Sequence, residues 1–527
     1  MSTYRDHYWK LEIYKQNFEK MLNWLQSEKD LDSKLEIALC AANYFVYHIT
    51  GYFTSSVLED FFVTCAKNIK TDLTGIQYET NSFLHVLTEG YKTGGHTRVV
   101  ERWIENAPSF QKHSVVLTRP NKDQLKTLEM DVKDKEGDFI PFDNKLSLKE
   151  KAEKLRRLAM KYEYIILHIH MEDPIAIMAF GSENFTRPVL FYDHASHMPW
   201  LGKSIADLVI EIQQDYEVTK DVRGITNTFF LGVPSKEIAF SISDKQEERI
   251  KLGMPVDKKI IVSCGSKDKF RTLLDKGFID YVKDIIDKDT YCYVIGVNPS
   301  SSEWAKAKHE TNNHILPLKH IDFDKGFLSY LRAADLYLDS FPVGGGTAVM
   351  DAVSVGTPAL SLQSVGRQFD YLITTSAFCK SGEEFVKKAI KVLDDKNYAN
   401  AIFEELKNSL IKYQSIEAWN KRIKELFEIA PKHHTVKNLS NVKDYSEPCD
   451  LAVLFNVMDI DDFMQPDKIK VLSDSELIEM IKFGNLYKRQ GIPNIFQVLS
   501  YKKPCQKTKI LKLLNVTVYK RIVKSDN

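Results

Sequence analysis

Thr347 and Asp351 stand four residues apart, directly after three consecutive glycines, Gly344, Gly345 and Gly346. On a helix, that spacing puts a hydroxyl and a carboxylate on one face. Glycines let backbone N–H groups come close to a ligand, and a helix N-terminus adds partial positive charge, so the loop suits a phosphate. Thr347 can donate to a phosphate oxygen, and Asp351 offers two acceptor oxygens to a ribose hydroxyl. The competing reading is a turn that merely joins a strand to a helix. A second cluster, Asp193-His194-Ala195-Ser196-His197, ends an apolar run. Ligands of open α/β sheets bind at such strand ends. A histidine there is a candidate general base at neutral pH, and a neighbouring carboxylate can orient it. His194 is favoured for that role, with His197 and Asp193 behind it. Zinc is disfavoured, since the His-x-x-His spacing lacks a helix, a glutamate and a third ligand. His168 and His170 alternate on the preceding strand and are read as packed or supporting residues.

The elements that must carry these groups follow from periodicity. Residues 5–70 show apolar spacings of three and four and predict helices, with Asp32 or Ser33, and Ser55 or Ser56, as N-caps. From residue 82 onward, short β-branched runs alternate with amphipathic ones: SFLHVL, HSVVL, EYIILHIHM and PVLFY are strands. The alternation restarts at KKIIVSCG and continues through TYCYVIGV, LYLDSF and PALSL. Two such series predict two Rossmann-like, doubly wound domains with a cleft between them, in an α/β protein. The expected division is a helical unit over 1–80, α/β domains over 81–240 and 241–430, and a helical, basic extension over 431–527.

Composition narrows the partners. The 527 residues carry 72 Lys or Arg and 72 Asp or Glu, so no global field argues for nucleic acid. The imbalance is local: ten Lys or Arg against one Asp over 488–527. That run is a solvated face or a peripheral contact with an anionic membrane. Seven scattered cysteines, none in C-x-x-C spacing, fit a reducing cytoplasm. The N-terminus has no apolar signal core and no run reaches a membrane span, so the expected location is cytoplasmic, at most peripheral at the inner membrane face.

The stretch LDSFPVGGGTAVMDAVSVGTPALSL is similar to the C-terminal signature of GT-B glycosyltransferases, most of all the O-GlcNAc-transferase-like branch. Leu338, Asp339, Ser340, Pro342, Gly345, Thr347, Asp351, Ala352, Gly356 and Pro358 fall in its spacing. The resemblance spans about residues 82–430. It implies that Gly345, Gly346 and Thr347 bind the donor diphosphate and that Asp351 binds the ribose. It also assigns the loop after KKIIVSCG, with Ser266 and Lys269, to the donor; Lys267 and Arg271 are nearby substitutes for the cation. Gly94 and Gly95 resemble the loop that faces the donor from the N-terminal domain, with His96 or Arg98 reaching acceptor or phosphate. Retaining members often carry two glutamates eight positions apart. Here Asp351 fills the second place and Val343 the first, so the stereochemical outcome stays open.

The resemblance thus implies a bacterial glycosyltransferase using a nucleotide-diphosphate sugar, with a UDP-sugar favoured, and a protein, lipid-linked glycan or polysaccharide as acceptor. It implies no cofactor and no metal, because Lys269, the glycine loop and a helix N-terminus can offset the diphosphate charge. A sugar-nucleotide epimerase and a non-catalytic nucleotide-sugar-binding partner are the rival readings.

Overall fold

The computed structural model describes residues 9–48, 50–92, 95–213, 218–233, 244–270, 272, 276–321, 326–363, 369–439, 442, 444, 470–489, 500–503, 506–513 and 516–523. Three helices come first: α1 (Trp9–Ser27), α2 (Leu31–Tyr47) and α3 (Ser56–Asn68). Ser55 caps α3 as expected, but α2 begins earlier than its periodicity suggests, because Asp30 accepts from Ser33 N at 2.9 Å. These helices have no separate core. Phe18, Phe45 and Phe62 share one apolar cluster with Leu84, Val116 and Ile165 of the sheet that follows.

That sheet is built from β1 (Glu79–Leu87), α4 (Gly95–Asn106), β2 (Lys112–Leu117), α5 (Lys126–Asp134), β3 (Phe139–Pro141), α6 (Leu148–Ala159), β4 (Tyr162–His168), α7 (Ile175–Phe180), β5 (Val189–Asp193), β6 (Leu208–Glu211) and β7 (Thr228–Phe230). All seven strands are parallel, in the order β3-β2-β1-β4-β5-β6-β7. Helices cover both faces, which explains the nearly continuous apolar strands. Ser147 and Glu150 form a reciprocal capping box that starts α6.

The second series runs α8 (Lys245–Leu252), β8 (Lys259–Cys264), α9 (Phe278–Ile285), β9 (Thr290–Ile295), α10 (Ser302–Glu310), β10 (Ile315–Leu318), α11 (Phe327–Ala333), β11 (Leu336–Leu338), α12 (Gly346–Ser354), β12 (Ala359–Leu362), α13 (Asp370–Ile373), β13 (Phe378–Cys379), α14 (Gly382–Asp394) and α15 (Lys396–Gln414). Its parallel sheet has the order β10-β9-β8-β11-β12-β13, the doubly wound pattern, and closes over its own core. Both sheets therefore reverse their winding at one point, between β1 and β4 and between β8 and β11.

After α15 the chain crosses back. Helix α16 (Ile416–Ile429), capped by Ser415, buries Trp419, Ile423 and Leu426 against Phe83, Trp103 and Tyr192 of the first sheet's layer. The crossing is tied to the first one: Val233 N donates to Gln414 Oε1 at 3.2 Å, and Arg422 Nε to Leu231 O at 2.9 Å. Farther on, α17 (Asp474–Arg489) returns to the N-terminal helices, where Leu472 N donates to Asn17 Oδ1 at 2.8 Å. The C-terminal extension is not helical throughout. Three antiparallel strands, β14 (Ser500–Lys503), β15 (Gln506–Leu513) and β16 (Val516–Val523), form a separate small sheet. Their β-branched and aromatic residues, Val516, Val518, Tyr519, Ile522 and Val523, explain the preference for strands over a helix. The membrane contact expected of this basic tail rests on side chains outside the described residues. Among the described residues, no helix is long and apolar enough to cross a membrane.

Candidate active site

The donor-type residues meet at the switch point of the second sheet. Strand β8 leads into Gly265 and a short turn, Lys267–Phe270, while its neighbour β11 leads into the glycine loop. Lys269 joins the two: its Nζ donates to Gly344 O at 3.2 Å, and its carbonyl accepts from Val343 N at 3.4 Å. Ser266 is exposed, and its carbonyl accepts from Lys269 N at 3.0 Å. Arg271 lies outside the described residues.

Asp339 is the knot of the glycine loop. It is fully buried, and its Oδ1 accepts from Ser340 N at 2.9 Å and Gly345 N at 2.7 Å. Its Oδ2 accepts from Ser361 Oγ at 3.0 Å on β12. Burial raises its pKa, opposed by the Gly345 N–H and the Lys269 charge. Space is tight at Gly345 and tighter at Gly346. A Cβ on Gly345 would lie 3.3 Å from both Lys269 Nζ and Asp339 Oδ1, and one on Gly346 would lie 2.0 Å from the Phe369 ring. Helix α12 starts here with no side-chain cap on its leading N–H groups. Thr347 is exposed on its first turn, and Asp351 is half-buried one turn on. Asp351 also acts across the cleft: Arg102 of α4 is pushed down by burial, and the Asp351 charge opposes that shift. Arg102 carries no local signal in the sequence, since only the approach of the two domains brings it near Asp351.

On the opposite wall, His194 follows β5 and His96 opens α4, with ring centroids 4.3 Å apart. Gly95 begins α4, Gly94 lies outside the described residues, and Arg98 sits half-buried on the same helix. Neither ring nitrogen of His96 makes a well-formed hydrogen bond among the described residues, although the His168 backbone lies close enough to act on the ring. Asp193 does not orient His194. Its carboxylate accepts from Ala195 N at 2.9 Å and Trp200 Nε1 at 3.2 Å, so it shapes the turn after β5. The ring of His194 is held instead by His168, whose Nδ1 lies 2.8 Å from His194 Nε2. His170 is drawn elsewhere, with Arg119 Nη2 at 3.2 Å from its Nδ1. Arg119 in turn bridges Glu89 and Glu172, at 2.9 and 3.1 Å.

Burial lowers His96, His168, His194 and His197, so these four are neutral near pH 7. His194 lies well below its ordinary value, first through burial and then through His96 and His170. His96 falls to about 3 through burial and His170, with the His168 backbone opposing. His197 falls to about 4 through burial, then through the charges of Arg223 and Lys269. The Lys269 charge thus reaches His197 from the second domain. A neutral imidazole facing a fixed cation and an uncapped helix start is an arrangement that accepts a proton on one side and stabilises a departing anion on the other. Among the described residues, no three His, Cys, Asp or Glu side chains are placed to hold a metal ion.

No family model matches the sequence, and no curated protein matches it. Solved structures do. A glycosyltransferase from Rickettsia africae aligns at a TM-score of 0.50 and 11% identity, over 67% of this chain and 98% of its own. The fold is GT-B. Anabaena HepE in complex with UDP-glucose aligns at a TM-score of 0.49 and 16% identity, over 66% of this chain and 99% of its own. An O-GlcNAc transferase mutant from Thermobaculum terrenum aligns at 0.47 and 12%, over 79% and 81%. Lys269 and the glycine loop lie in the second α/β domain, and the histidines lie in the first.

Proposed function

We propose that this protein is a glycosyltransferase that moves a sugar from a nucleoside-diphosphate donor, a UDP-sugar, to a hydroxyl or amide of a protein or glycan acceptor. The observation that carries the reading is the convergence of Lys269, the Asp339-tied glycine loop and the uncapped start of α12 at the switch point of the second sheet. The glycine-loop N–H groups and Lys269 bind the diphosphate, and their fixed charge is worth most as the glycosidic bond breaks and negative charge grows on the leaving group. Asp351 accepts from the ribose hydroxyls. Thr347 donates to a phosphate oxygen. His197, close enough to feel the Lys269 charge, serves the donor from the opposite wall. His194 takes the proton of the attacking acceptor group, which requires the neutral ring that burial provides. This reading needs no metal, since the protein supplies the positive charge.

The test is nucleotide release from a UDP-sugar panel, followed by mass spectrometry of the acceptors modified. Lys269→Ala and Asp351→Ala are each expected to lower release by about 10²-fold or more. Wild-type turnover in both variants would sink the assignment.

A further inference from the structure

Three buried imidazoles and a fourth, half-buried one stand in an unbroken row beneath the proposed acceptor wall. His113 on β2, His85 on β1 and His168 on β4 project from the same face of three adjacent parallel strands, and His194 follows β5, the next strand over. Their ring nitrogens meet end to end: His113 Nδ1 to His85 Nε2 at 2.9 Å, His85 Nδ1 to His168 Nε2 at 3.1 Å, and His168 Nδ1 to His194 Nε2 at 2.8 Å. At the far end His113 Nε2 lies 3.3 Å from Gln111 Oε1. At the near end His194 Nδ1 makes no hydrogen bond among the described residues. Phe83 stacks on His113 at 4.7 Å, Trp103 meets His85 edge-on at 5.3 Å, and Tyr192 lies 4.6 Å from His194, so the row is walled by aromatic rings.

A neutral imidazole carries one N–H and one lone pair, and each contact needs one of each. The four rings are neutral, because burial depresses all of them. The row therefore has two self-consistent states. With the Gln111 oxygen facing His113, every ring holds its proton on Nε2, and His194 is left with a bare Nδ1. With a donor in that place, every ring holds its proton on Nδ1, and His194 has no lone pair to offer there. We propose that Gln111, His113, His85 and His168 act as one tautomeric unit that fixes His194 as an Nε2–H imidazole with its Nδ1 lone pair directed at the acceptor.

The row also has a place for the proton taken up. As the acceptor oxygen bonds to the anomeric carbon, the bond from that carbon to the diphosphate breaks, and its electron pair leaves on the diphosphate oxygen. The acceptor's proton goes to His194 Nδ1, and the Nε2 proton of His194 shifts to His168 Nδ1. One positive charge is then shared along the row instead of resting on a single buried ring. The tautomer assignment stands on the geometry of the row; its kinetic consequence rests on the proposed role of His194.

The experiment uses the full chain labelled with ¹⁵N-histidine, read by long-range ¹H–¹⁵N correlations that separate protonated from bare ring nitrogens. Wild-type protein is expected to show Nε2–H with bare Nδ1 on all four rings. Gln111 is buried, 9% exposed, just before β2, so each replacement is first checked for a wild-type fold by far-UV circular dichroism. Gln111→Glu, an acceptor only, should keep that state. Gln111→Lys, a donor only, should turn all four rings to Nδ1–H and lower kcat for sugar transfer by about 10²-fold with the donor KM unchanged. His85→Phe should cut the row, so that Gln111→Lys added to it no longer changes His194. A mixed or Nδ1–H wild-type His194, or a His194 ring indifferent to Gln111→Lys, would overturn the proposal. A turned ring with unaltered turnover would support the tautomeric unit and instead remove His194 as the base.

Discussion

At the scale of single residues, Asp339 shows how a ligand-like motif is also architecture. Its carboxylate points at no donor; it gathers Ser340 N, Gly345 N and Ser361 Oγ and thereby folds the loop that faces the cleft. Asp339→Ala leaves all three donors without that acceptor in a buried place. The expected cost is about 3 kcal/mol in denaturant unfolding, together with weakened nucleotide binding in calorimetry. Asp339→Asn, which keeps one oxygen, should cost less than Asp339→Ala. Equal stability of wild type and Asp339→Ala would show that the loop is set by something else. Asp193 carries a parallel lesson. Sequence adjacency placed it beside His194 as an orienting acid, yet successive residues at a strand end point apart, and its oxygens serve the following turn.

Among elements, the strands and the glycine loop were legible because each is a local pattern. An apolar β-branched run needs only its own residues to be recognised, and so does a triple glycine before a helical run. The histidine row was not legible in that way. His85, His113 and His168 each read as one polar residue inside an apolar strand, and their meeting depends on the order β2-β1-β4-β5, which pairs segments far apart in the chain. The tail shows the converse failure, where charge was read correctly but its strands were not. Helix α16 returns to the first sheet, which no local pattern in its own residues could show. Its Trp419, 1% exposed, meets Trp103 edge-on at 5.6 Å. Trp419→Ala is expected to cost about 3–5 kcal/mol. The loss should fall on the N-terminal half, splitting thermal unfolding into two transitions while residues 245–414 keep theirs. A single, unshifted transition would contradict that role for α16.

For the whole molecule, six low-lying imidazoles make stability depend on pH. His85 and His96 are lowered to about 3 and His197 to about 4, while His113, His168 and His194 fall well below their ordinary value. In the unfolded chain each titrates near 6.5. Between those limits the unfolded state binds more protons than the folded one, so stability rises with pH there. It is complete above about pH 7.5 and is lost as pH falls through 6.5 toward the folded values, by up to ~1.4 kcal/mol per pH unit for each ring that titrates alone. The denaturation midpoint is therefore expected to fall steadily from pH 7.5 to 5, and less steeply in His96→Asn. A flat profile over that range would mean that the rings are not held neutral by the fold.

The first half ends its described residues at Val233 and is met again at 414–416, and these two places are bonded to one another through Gln414 and Arg422. Each place is therefore anchored in the other, so that a change at Gln414 or Arg422 loosens both at once.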